Sequence, residues 1–149
     1  MNESAEIVVG DRPFTVRRTA RWADCDPGGV VYAGCYTEYL LGAAMHFLRA
    51  VRGVPIEVSP EIDLPCKHMA LTFHAPMVPD DVVDIQLRVA ELREHTFDIV
   101  VEARLAGGRL AFDGVFAPIC ILKGSSFEKA AIPAALRQAL QRHSSENLR

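Results

Sequence analysis

The chain has 149 residues, half of them hydrophobic, which is enough for one domain with a sizeable core, and residues 1–149 are read as a single unit. A net charge of −3 gives no general attraction to nucleic acid or to an anionic membrane, and no basic cluster with interleaved aromatics offsets that balance. There is no apolar run long enough to span a bilayer, and the opening residues lack a basic and apolar leader. A soluble cytoplasmic protein is therefore expected, whose scattered Cys25, Cys35, Cys66 and Cys120 stay as free thiols.

Residues 1–12 and 143–149 are expected to fray. Residues 13–22 predict a first strand, with Phe14, Val16, Arg18, Ala20 and Trp22 on one side and Thr15, Arg17, Thr19 and Arg21 on the other. It delivers the chain into Asp24-Cys25-Asp26-Pro27-Gly28-Gly29-Val30-Val31, which reads as a tight turn. Tyr36, Tyr39, Leu40, Ala43, Ala44, Phe47, Leu48 and Val51 then recur at helical spacing. They predict a helix with a broad buried stripe, wet only at Thr37, Glu38, His46, Arg49 and Arg52, and ended by Gly53 and Pro55.

The prolines at 55, 60 and 65 make residues 54–66 a loop. Strands are predicted over 68–77, 82–92, 95–105 and 109–122, the last three joined as an antiparallel meander, with Gly107-Gly108 as a two-residue hairpin turn. Their inward residues include Val83, Ile85, Leu87 and Val89, then Phe97, Ile99, Val101 and Ala103. A short helix follows Pro133 through Leu136 and Leu140.

The chemistry concentrates at 24–36. An Asp-Pro-Gly turn is ordinary turn chemistry by itself, but here a carboxylate immediately precedes a long apolar helix. The helix dipole can keep that acid ionised, and the free N–H groups of the first turn can polarise a substrate oxygen. His46, His68, His74, His95 and His143 show no metal-ligand spacing and read as surface or strand-face residues, so no metal is expected. Cys25 lies between two acids, which disfavours a thiolate nucleophile.

The order strand, long apolar helix, four antiparallel strands leaves the sheet to curl around the helix: an α+β hotdog fold, with a five-stranded antiparallel sheet wrapped around a long central helix. Residues 24–31 closely resemble the Asp-Cys-Asp-Pro-Ala-Gly-Ile-Val-like motif of the 4-hydroxybenzoyl-CoA thioesterase branch of the hotdog superfamily. Asp80-Asp81-Val82 and Arg93 through Phe97 are similar to turns of the same family. The chain departs from many relatives in having Tyr32-Ala33-Gly34-Cys35-Tyr36 where they carry His or Asn at the helix start.

The resemblance implies hydrolysis of an acyl-CoA thioester to free acid and thiol, with a tilt toward aromatic acyl groups, no metal or redox cofactor, and coenzyme A as part of the substrate. It makes Asp26 the catalytic carboxylate, as nucleophile or general base, and aims the backbone N–H of Ala33 at the thioester carbonyl; the adjacent Gly34 N–H is expected to share the developing oxyanion. Tyr32 is the candidate pocket wall. Thr72 and His74 are candidates to meet the acyl group from a neighbouring subunit, and Arg93, ahead of Lys123, is the candidate phosphate contact. A homodimer, pairing further into a homotetramer, is expected, with the site between subunits. Two readings compete: a non-catalytic acyl-CoA or acyl-carrier binding protein, and a hotdog hydratase or dehydratase.

Overall fold

The computed structural model describes residues 5–53 and 61–144, so expectations for 1–4, 54–60 and 145–149 lie outside the described residues. Strands β1 (Glu6–Asp11) and β2 (Phe14–Thr19) precede a single 3-10 turn at Trp22–Asp24 and helix α1 (Ala33–Arg52). Then come β3 (Ile62–Asp63), β4 (Cys66–Phe73), β5 (Val82–Leu92), β6 (Phe97–Leu105), β7 (Leu110–Pro118), β8 (Ile121–Leu122) and α2 (Ala134–Gln141). Among the described residues no helix is long and apolar enough to cross a membrane.

The main sheet runs β1-β2-β5-β6-β7-β4, antiparallel at every pairing, so it has six strands where five were expected. The sixth is β1, from the segment expected to fray. Its Glu6 to Asp11 pair with Arg18 to Phe14, and the Glu6 carboxylate lies against Gly42 of α1, where any side chain would displace it.

All eight residues of the expected helical stripe are buried, and α1 ends at Gly53, whose φ of 69° closes the last turn in the left-handed region that glycine tolerates. The concave face of the sheet covers this stripe with Val16, Ile85, Leu87, Ile99, Val101, Phe112 and Phe116. Period-two alternation in β5 and β6 therefore matches the core.

Several boundaries differ. The first strand stops at Thr19 because the Ala20 N–H turns to Asp81 O, and Trp22, expected on the strand's inner side, is left 75% exposed. The 109–122 segment breaks after Pro118, where Ile119 N–H donates to Pro65 O and Cys120 N–H to His95 O, and its end pairs with β3 instead. The β6–β7 connection has four residues, 106–109, closed by Gly108 N–H to Leu105 O and Leu105 N–H to Arg109 O, with φ of 93° at both Gly107 and Gly108. Ala75 and Met77 are buried beyond the end of β4. His143, expected at the surface, is buried beside Phe14 and Phe47, with its carbonyl accepting Val89 N–H.

Candidate active site

The 24–31 turn folds into a small loop clamped at its base. Tyr32 N–H donates to Asp24 O at 2.8 Å, Cys25 and Val31 form an antiparallel bridge, and Asp26 N–H donates to Val30 O at 2.9 Å. Val31 N–H donates to Met77 O, and Met77 N–H to the Tyr36 hydroxyl, so the segment after β4 buttresses the junction of loop and helix. Gly29, with φ 83°, makes the reversal at the tip.

Asp26 is half-buried. Its Oδ1 accepts Gly28 N–H at 2.8 Å, while its Oδ2 accepts no bond among the described residues. The helix beside it starts unusually open: Tyr32, the residue before the first turn, provides no side-chain cap, and the first turn holds no acid. Cys35 N–H is satisfied by Tyr32 O, whereas the exposed Ala33 and Gly34 N–H groups have no acceptor among the described residues. Those two donors, at the positive end of a 20-residue helix, suit a developing oxyanion.

Tyr32 is 59% exposed, and a Cβ on Gly34 would lie 2.6 Å from its Cε1. Glycine at 34 is thus what lets the ring lie across the first turn. Asp24 is buried, and its Oδ2 accepts Tyr39 OH at 2.8 Å, Arg21 N–H at 3.0 Å and Arg18 Nη2 at 3.5 Å. Burial by itself would push this carboxyl up; the Arg21 N–H, the Tyr39 hydroxyl and Arg18 outweigh it and hold Asp24 below the ordinary carboxylate value. Burial, then Asp24 and Asp26, push the Cys25 thiol up; burial and Asp24 do the same to Cys35, so neither is a poised thiolate.

The other candidates are placed differently. Phe73 pairs with Phe112, whose ring is 5.4 Å from Tyr36, so Phe73 shares the helix side of the sheet and its ring stands 5.0 Å from Tyr36. Thr72, one residue back, therefore faces away from the helix opposite Asp113, which also takes His74 Nε2 at 3.2 Å. Both are at the Asp26 end of the sheet, but Phe73 is the residue on the site's side. Arg93 follows the end of β5 that is opposite the Thr19–Val82 pair, and its guanidinium is filled by Asp98 at 3.1 and 3.3 Å. The protomer does not bring it to Asp26. Among the described residues no His, Cys, Asp and Glu cluster with the geometry to hold a metal occurs.

Sequence reading also missed Arg18, Glu6 and the role of Tyr39. Arg18 stood on the apolar side of the first strand's alternation, and a cation there signals a buried partner.

A family model described as the thioesterase-like superfamily matches residues 20–140, from the end of the first hairpin through the short second helix. The chain belongs to the thioesterase-like superfamily. Among relatives, a protein named 1,4-dihydroxy-2-naphthoyl-CoA hydrolase, of Crocosphaera subtropica, is 29% identical over 89 residues, covering 58% of this chain and 64% of that protein's length. A 1,4-dihydroxy-2-naphthoyl-CoA thioesterase from Synechocystis superposes with a TM-score of 0.77 at 23% identity, covering 86% of this chain and 95% of that one. A gentisyl-coenzyme A thioesterase superposes with a TM-score of 0.73 at 23% identity, covering 85% and 98%. These two share the hotdog fold with this member of the thioesterase-like superfamily.

Proposed function

We propose that the chain is an acyl-CoA thioesterase acting on aromatic acyl groups. The observation that carries the reading is the pairing of a carboxylate oxygen left open on Asp26 with the two unpartnered N–H groups at the start of α1. A thioester carbonyl is polarised by Ala33 and Gly34, and Asp26 either attacks its carbon, expelling the thiolate and leaving an anhydride that water opens, or deprotonates the attacking water. Coenzyme A enters as part of the substrate and leaves as the free thiol, and no other cofactor is used. The two relatives acting on dihydroxynaphthoyl-CoA support the aromatic preference, as does the exposed Phe73 ring beside Tyr36.

A second copy completes the site. Every residue of β4 is exposed except the half-buried Leu71, and the strand lies at the open edge of the sheet with Met69 and Phe73 on it. Pairing two such edges satisfies their backbone groups and covers the apolar side chains, which supports a homodimer and, from the resemblance, a homotetramer of such pairs. The protein works in the reducing cytoplasm, where its four thiols stay free.

Thiol release from a panel of aroyl- and alkanoyl-CoA esters tests the reading. Steady release is expected, fastest with aroyl groups, and Asp26→Asn is expected to lower kcat by roughly 10³-fold or more with ligand binding retained. Tight binding without release makes the protein a carrier, and near-normal turnover by Asp26→Asn removes that residue from the mechanism.

A further inference from the structure

We propose that Tyr39 and Arg18, acting through Asp24, are positioning residues that fix Asp26 relative to the start of α1. The proposal deepens the thioesterase reading and rests on it for its kinetic consequence. Among the described residues, Asp26's own bonds stay inside its loop: its Oδ1 accepts Gly28 N–H, its N–H donates to Val30 O, and its carbonyl accepts Gly29 N–H at 3.0 Å. Two adjacent glycines give that loop freedom, so the placement of the carboxylate against the helix is set where the loop is anchored.

The main anchor is Asp24. Its carbonyl takes Tyr32 N–H, at the residue preceding the helix, and its Oδ2 takes the hydroxyl of Tyr39, about two turns further along the helix. One residue thereby grips α1 at two separated points. Asp24 is 7% exposed and Tyr39 is fully buried, so water cannot substitute for the hydroxyl. Arg18 supports the arrangement from β2: its guanidinium lies 4.6 Å over the Tyr39 ring, reaches Asp24 at 3.5 Å, and is held by Glu6 at 3.6 Å. Glu6 also takes His46 Nε2 at 2.9 Å, so the contacts run unbroken from β1 across α1 to the loop. A displacement on the order of 1 Å at a reacting group costs about 10²-fold in rate.

The test is Tyr39→Phe in the full-length protein, which keeps the ring, its packing and its contact with Arg18 and removes only the hydroxyl. On the thioester that the wild type cleaves fastest, kcat is expected to fall about 10- to 100-fold with KM within about threefold. Arg17→Ala, which removes the exposed Arg17–Asp84 pair from the other face of β2, is expected to stay within about twofold in kcat. Amide exchange reads the clamp without turnover: the Tyr32 N–H is expected to exchange about tenfold faster in Tyr39→Phe, with Val101 unchanged.

The proposal is overturned if kcat of Tyr39→Phe, expressed per folded enzyme, stays within about threefold of wild type, or if Tyr32 exchange does not change. A wild type that releases thiol from no thioester refutes the thioesterase reading instead, and Tyr32 exchange then decides the clamp on its own.

Discussion

Asp24→Asn separates the charge of the buried carboxylate from its shape. Three donors converge on Oδ2, and a hydrogen bond to a charged group contributes about 1.5–3 kcal/mol. They are not equal. Arg21 is exposed, so its N–H finds water, and Arg18 at 3.5 Å keeps Glu6 as a partner. The Tyr39 hydroxyl, at 2.8 Å in a fully buried residue, still finds the amide oxygen but loses the charge, which about halves its bond and sets the cost at about 0.8–1.5 kcal/mol, or a midpoint about 2–6 °C lower for a chain of this size.

The sign of the pH dependence follows from the lowered carboxyl. Its stabilisation is fully present above the unfolded carboxylate's value, about pH 4, and is lost as pH falls through the lower folded value. Urea unfolding at fixed protein concentration, from pH 7 downward as far as the wild type stays folded, should show a gap between wild type and Asp24→Asn that closes below about pH 4. A gap under about 0.5 kcal/mol at pH 7, or one independent of pH, refutes the assignment of Asp24 as a buried, charge-bearing clamp.

Two further outcomes follow from the core. His143 is buried 5.1 Å from the Phe47 ring, with Nδ1 unpartnered among the described residues, and burial pushes its imidazole pKa down. The folded state resists its protonation more than the unfolded chain, which charges below about pH 6.5, so its contribution is intact above that pH and is lost as pH falls; His143→Phe should flatten the loss of stability as pH falls below about 7, measured by thermal unfolding, and an unchanged slope counts against it. Gly114 of β7 faces Leu71, and a Cβ there would run into the Ala70 carbonyl and come within 3.0 Å of Leu71 Cδ2. Gly114→Val should therefore lift the edge strand and destabilise by about 1–3 kcal/mol, and a wild-type unfolding midpoint would contradict the β4–β7 register.

Local pattern was enough for much of this protein. The eight-residue stripe of α1, its stop at Gly53, the alternation of β5 and β6 and the acidic turn before the helix were all legible, because each depends on a period or a backbone angle that neighbours in sequence impose. Tertiary contact decided the rest. Residues 6–11 read as a fraying end until β2 offers them a ladder and Gly42 offers Glu6 a seat; Trp22 continues an alternation until Asp81 captures the backbone at Ala20; His143 looks exposed until two phenylalanine rings enclose it. The sequence pointed to Asp26 and to the N–H groups of Ala33 and Gly34, since the chemistry sits on adjacent residues. It could not show that Arg93 lies at the opposite end of the sheet, or that Arg18 and Tyr39 meet at Asp24. Those facts depend on strand register and on side chains far apart in the chain, which only packing brings together.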